Sequence, residues 1–161
     1  MRVRAYRLLT SGPSDISGLV DLFERQLIKA EDVICIIGKT EGNGGRNDFT
    51  RELAMTVFED LFSRLLNISP GEVTERIIFS LSGGTEGVVS PHIVVFAREG
   101  AESYEASSEK RLALGIGFTR EFAPQEIGRL AQVEETARVI SDVVKTLKVD
   151  DPSDIHFVQM K

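Results

Sequence analysis

The residues best suited to chemistry lie where an apolar run meets glycines. Ile77-Ile78-Phe79-Ser80-Leu81 delivers Ser82 directly into Gly83-Gly84-Thr85-Glu86-Gly87. Glycines after a hydroxyl let the chain turn where a side chain would clash, and they leave N–H groups free to point at an anion or a developing oxyanion. Ser82 is thus a candidate nucleophile beside its own electrophile stabiliser, and the plain alternative is a glycine-rich hairpin loop. A serine needs a base to take its proton, and a lysine serves if it is neutral near pH 7. That requires lowering an ordinary lysine pKa of ~10.4 by roughly three units, through burial or nearby positive charge. Lys39 and Lys161 both follow apolar, strand-like runs, where a lysine is partly desolvated. Arg51 follows the Lys39 loop in the next helix, and its forked donors suit a planar, carbonyl-bearing ligand. For each lysine the alternative is a solvated strand end.

Other motifs fail on spacing. Gly38-Lys39-Thr40 looks like the end of a phosphate-binding P-loop, but Val33 stands where that pattern needs a glycine. In Gly42-Asn43-Gly44-Gly45-Arg46-Asn47 the last residue stands where a dinucleotide fingerprint needs its third glycine. His92 follows Pro91 near a turn, and His156 falls in a strand-like run where packing is the expected role. No metal-ligand spacing is present. Glu41 and Glu86 each sit in a Thr-Glu-Gly triplet, a loop feature. Cys35 lies in the apolar run 33–37 and is expected in the core.

These residues must be carried by a small set of elements. Residues 3–9 alternate basic and apolar and predict a strand; residues 10–15 supply capping chemistry for a helix over 15–29. The run 33–38 predicts a buried strand, and residues 40–47 a loop. Asn47 or Asp48 then caps a long amphipathic helix with Phe49, Leu53, Val57, Leu61 and Leu65 at helical spacing. Strands are expected before Ser82 and over 93–96. Residues 1–100 form a first unit, 101–111 a polar linker, and 112–161 part of a second unit. The second unit opens with a strand-like run to Phe118 and continues with a helix bearing Val133, Ala137, Ile140, Val144 and Leu147. Its closing run, Asp154-Ile155-His156-Phe157-Val158-Gln159-Met160-Lys161, aligns without a gap to Asp32-Val33-Ile34-Cys35-Ile36-Ile37-Gly38-Lys39. A period this long points to duplicated structural units.

Composition narrows the function classes. At 161 residues and 42% hydrophobic content the chain can build a core, which argues against disorder. A net charge of −6, with basic residues scattered along the sequence, argues against nucleic acid as a partner. No run reaches the ~20 apolar residues of a membrane span, and residues 1–6 lack the apolar centre of a signal peptide, so no membrane partner and a cytoplasmic location are expected. A single cysteine excludes an intrachain disulfide.

Taken together, several motifs are recognisable. Gly38-Lys39-Thr40-Glu41-Gly42-Asn43-Gly44, Asn47-Asp48-Phe49-Thr50-Arg51, Ser82-Gly83-Gly84-Thr85-Glu86-Gly87 with Ser90-Pro91-His92, Leu114-Gly115-Ile116-Gly117-Phe118-Thr119-Arg120, and His156-Phe157-Val158-Gln159-Met160-Lys161 closely resemble the cyanuric acid amidohydrolase and barbiturase family. The resemblance extends over essentially the whole chain. It implies an α+β fold of repeated units, each a mostly antiparallel sheet with two helices, set about a pseudo-threefold axis with the active site at its centre. This chain would hold about one and a half of the three units. The resemblance further implies that Lys39, Arg51 and Ser82 are the first unit's site residues, with Arg51 and the Ser82-Gly83 backbone contacting substrate. Lys161 matches the second unit's lysine, usually assigned as the base for that unit's nucleophilic serine. The implied reaction is hydrolytic opening of a cyclic imide without cofactor or catalytic metal; a structural cation in some members belongs to the third unit. Barbituric acid is the alternative substrate. A non-catalytic assembly or binding module is the alternative class, and a homo-oligomer is expected in either case.

Overall fold

In the computed structural model, described over residues 2–84, 90–99 and 111–160, the run of β-branched residues after Asp32 becomes an interior strand. This strand, Val33–Lys39, is the second in chain order and is called β2. With β1 (Arg2–Leu9), β3 (Ile78–Ser82) and β4 (His92–Glu99) it forms a sheet of order β1-β4-β2-β3. β1 with β4 and β2 with β4 are antiparallel, whereas β2 and β3 are parallel. The fold is therefore α+β with a mostly antiparallel sheet, as expected. Neighbours on both sides, and residues buried on both faces, explain why β2 reads as a continuous apolar run.

A parallel pair cannot be joined by a hairpin and needs a crossover. Here α2 (Thr50–Leu66) and α3 (Pro70–Arg76) provide it. The short α3 adds to the two-helix expectation, and its start is set by local capping. Ser69, Pro70 and Glu72 form a capping box: the Ser69 N–H and hydroxyl donate to Glu72 at 2.8 Å each, and proline occupies the first turn. α1 (Ser17–Glu24) is shorter than expected, because Gln26 turns into the left-handed region at φ 54° and the Leu27 N–H closes back on the Leu22 carbonyl.

One sheet face carries the core. Leu19 and Leu22 of α1, Ala54, Phe58, Leu61 and Phe62 of α2, and Val73 of α3 pack against Ile36, Phe79, Ile93, Val95 and Ala97. Phe58 stacks on Phe79 at 5.7 Å between ring centroids, and Phe62 meets Phe23 edge-on at 6.0 Å. This corrects the expected stripe on α2. Of the predicted set only Leu61 is buried, while Phe49, Leu53 and Leu65 are 68%, 46% and 47% exposed. The helix carries two neighbouring rows at four-residue spacing, and the row Ala54-Phe58-Phe62 faces inward. Its aromatic rings reach Phe79 on the sheet, and periodicity alone does not weigh one row against the other.

The chain divides into two compact units, Met1–Ser103 and Tyr104–Lys161. In the second, α4 (Leu130–Leu147) is the long helix. Segment 111–118 lies along it, with Gly115 against Val143 and Leu147, and Gly117 against Val139 and Val143. The side of α4 against this segment is Val139-Val143-Leu147; of the predicted stripe, Ile140, Val144 and Leu147 are half-buried, whereas Ala137 is exposed and Val133 is 63% exposed. The expected strands at 112–118 and 155–160 form no ladder among the described residues, and His156 is exposed rather than packed. A lone extended segment has no neighbour to take its backbone hydrogen bonds, so extended conformation alone does not make a sheet.

The turns ahead of the two aligned runs nevertheless share their backbone hydrogen bonds. Gln26 N–H to the Phe23 carbonyl (2.9 Å) and Leu27 N–H to Leu22 (3.0 Å) recur as Lys148 to Lys145 (3.0 Å) and Val149 to Val144 (3.3 Å). Gln26 and Lys148 share φ 54° and 53°. Then 3-10 turns at Ala30–Asp32 and Pro152–Asp154 lead into the aligned runs. Phe58 stands in the buried inward row of α2, so Phe58→Ala should cost about 3–5 kcal/mol. Leu65→Gln should stay within about 0.5 kcal/mol. Urea midpoints at constant slope measure both.

Candidate functional site

The carboxyl ends of the parallel strands bring the first-unit candidates together. Lys39, the last residue of β2, stands directly opposite Ser82, the last residue of β3. On its other side Lys39 stands opposite His92, the first residue of β4. Strand alternation puts this row on the face opposite the core positions Gly38, Leu81 and Ile93. Lys39 is only 7% exposed, so it is not the solvated strand end of the plain alternative. Ser82 is exposed. His92 was missed as a neighbour of the lysine, because adjacency across a sheet has no signature in local sequence. Its Nδ1 lies 2.7 Å from the Ser90 carbonyl, which a ring nitrogen can bond only by donating, so Nδ1 carries a proton.

The loop from Thr40 to the start of α2 is organised by Asp48, whose side chain is fully buried. Its Oδ1 accepts from the Thr50 N–H (3.0 Å) and hydroxyl (2.5 Å), and Oδ2 accepts from the Gly44 N–H (2.7 Å). Because Thr50 spends its only hydroxyl proton on the carboxylate, Thr40 is the donor in the 2.8 Å contact between the two threonines, and its single proton is shared with the Ser82 carbonyl at 3.2 Å. The Ser82 carbonyl is then held by the Thr40 N–H at 2.9 Å. A chain of bonds thus runs from Asp48 through Thr50 and Thr40 to the backbone of Ser82. Glycines let the carboxylate fit: a Cβ on Gly42 or Gly83 would overlap Asp48. These bonds, the Thr50 hydroxyl first, hold the Asp48 carboxyl below the usual carboxylate range against the opposing effect of burial.

Arg51, the second residue of α2, turns Nε to within 3.9 Å of Asp48 Oδ2 and donates from Nη2 to the Gly45 carbonyl at 3.3 Å. Lys39, Arg51, Ser82 and Gly83 therefore share one end of the first unit. Lys161 and residues 85–89, with Glu86, lie outside the described residues. Asp48 was expected only as a helix cap, a part it fills from one residue before the cap position. Cys35 is buried as expected, and burial pushes its thiol up to about 11. Among the described residues no group of three His, Cys, Asp or Glu could hold a metal ion. No described helix is long and apolar enough to cross a membrane.

With a serine, a lysine, an arginine and a glycine turn gathered at one end of its sheet, the chain is a member of the ring-opening amidohydrolases. The family model "Amidohydrolase ring-opening protein" matches residues 4–161. A cyanuric acid amidohydrolase of Bradyrhizobium diazoefficiens is 46% identical over 160 residues, covering 99% of this chain and 43% of that enzyme. A cyclic amide hydrolase of Azorhizobium caulinodans is 44% identical over 161 residues, covering 100% of this chain and 44% of the relative. A solved cyanuric acid hydrolase superposes with a TM-score of 0.87 at 44% identity, over 97% of this chain and 43% of its own. The chain thus spans less than half the length of these relatives.

The depressed Asp48 carboxyl has a consequence for acid stability. A group that titrates lower when folded contributes stability that is present above its unfolded pKa of ~3.9 and lost as pH falls through the folded value. Wild-type urea midpoints should therefore drop below pH 4, and Asp48→Asn should flatten that acid limb while lowering the midpoint at pH 7. An unchanged limb in the variant would assign the acid sensitivity to other carboxylates.

Proposed function

We propose that the chain is the amino-terminal part of a hydrolase that opens the ring of cyanuric acid. The in-register pairing of Lys39 with Ser82, beside Arg51, carries this reading. Cyanuric acid is planar and bears alternating carbonyl and N–H groups, so an arginine fork and backbone N–H donors suit its edge. The buried Lys39 and the Ser82-Gly83 backbone make up the rest of the first unit's face.

In this reaction a serine Oγ attacks a ring carbonyl while a neutral lysine takes its proton. The oxyanion rests on backbone N–H groups, the ring C–N bond breaks, and the lysine returns the proton to the leaving nitrogen. Water then hydrolyses the acyl-enzyme, giving carboxybiuret, which loses carbon dioxide to yield biuret. Ser82 serves first as a substrate and oxyanion contact. Lys161 is the base of the second unit, paired with a serine that the remainder of the relatives' length would supply. Because this chain covers 43–44% of those relatives, it holds only part of the substrate ring and turns over little on its own. Residues 1–100, 101–111 and 112–161 act as first unit, linker and partial second unit.

Isotope-labelled chain titrated with cyanuric acid should show its largest amide shifts at Ser82 and Gly83 and at the Arg51 side-chain Nε–H. Arg51→Ala should weaken this binding about tenfold or more, a loss of about 1.4 kcal/mol. Shifts clustered elsewhere would overturn the site. Stronger shifts with barbituric acid would assign the other substrate, and turnover equal to an intact relative would sink the fragment reading.

A further inference from the structure

We propose that Asp48 is a positioning residue, whose buried carboxylate locks the loop before α2, and with it Arg51 in the first turn of α2, onto the Ser82-Gly83 backbone so that the two present one rigid cradle to the ligand. The inference rests on the site reading above and adds a residue to it. A helix cap needs one bond, from the Thr50 N–H. Asp48 makes that bond and two more, from the Thr50 hydroxyl and from the Gly44 N–H across the loop, and it pairs as an ion with the Arg51 Nε at 3.9 Å. Both carboxylate oxygens are thereby committed, so the group is placed to orient its neighbours rather than to exchange a proton with substrate.

Two features tie Asp48 to a strand far away in sequence. Oδ2 lies so close to the Cα of Gly83 that no side chain fits there, which seats the carboxylate against the turn after β3. The Thr50 and Thr40 hydroxyls, with the Thr40 N–H, carry the same constraint to the Ser82 carbonyl. On the other side Asp48 draws Nε of Arg51 inward. With one Nη2 N–H on the Gly45 carbonyl, the other Nη2 N–H and the two on Nη1 are left among the described residues as donors for a ligand. A shared, buried anion fixes the spacing between an arginine donor and a backbone donor, and it does so before the ligand arrives.

Asp48→Asn separates this role from capping. The amide keeps an acceptor for Thr50 but sets an NH2 group against the Gly44 N–H and Arg51 Nε. Expected is a folded variant, by circular dichroism and cooperative urea unfolding, in which the Gly44, Gly83 and Gly84 amide signals and the Arg51 Nε–H signal all move, with cyanuric acid binding weakened about tenfold or more. If those signals stay in place, Asp48 is only a cap and the proposal is overturned. Should Asp48→Asn fail to fold, Thr50→Val decides: it breaks the hydroxyl chain, and unmoved Ser82 and Gly83 signals overturn the proposal. If cyanuric acid leaves the wild-type spectrum unchanged while Asp48→Asn still moves Gly83 and Arg51, the functional reading fails and the positioning role stands.

Discussion

The parallel pairing of β2 with β3 is the constraint from which the rest of the first unit follows. Two parallel neighbours cannot be joined by a tight turn, so the chain must leave the end of β2, cross one sheet face and return to the start of β3. The crossover is α2 and α3, and their apolar sides supply most of the core on that face. Parallel strands also bring their carboxyl ends to the same edge. Lys39 and Ser82, far apart along the chain, become direct neighbours by register alone.

The same geometry explains the glycines. The loop that leaves β2 and the turn that leaves β3 emerge side by side, and the space between them is filled by the Asp48 carboxylate. Gly42 and Gly83 lie against it from the two segments, while Gly44 supplies an N–H. The composition Gly38-Lys39-Thr40-Glu41-Gly42-Asn43-Gly44 imitates a phosphate loop, but the anion its backbone meets is a side chain of the protein itself. An internal carboxylate held by several donors is also held ionised, which keeps the loop's negative charge constant at neutral pH.

The two units read differently because one is complete as a sheet and the other is not. In the first, every expected strand finds partners, and the strand over 93–96 extends to His92–Glu99 once β1 and β2 flank it. In the second, equally strand-like residues pair with nothing among those described, although the turns leading into them repeat the first unit's hydrogen bonds. Local capping and turn geometry are encoded within a few residues and survive without the sheet; a ladder requires a second chain segment.

Sequence alone determined the class of the fold, the motifs of the family, the duplication, the buried strand 33–38 and the candidates Lys39, Arg51 and Ser82. These are local signals: runs, caps and spacings within reach of a few residues, and the family motifs are strings of such signals. Tertiary structure alone decided which row of α2 faces inward, because that depends on the aromatic rings of another element. It also decided that Lys39 is buried between Ser82 and His92, and that Asp48 organises both sides of the site rather than one helix end. In each case the deciding contact joins residues distant along the chain, and its energy comes from packing or hydrogen bonding that no local pattern contains.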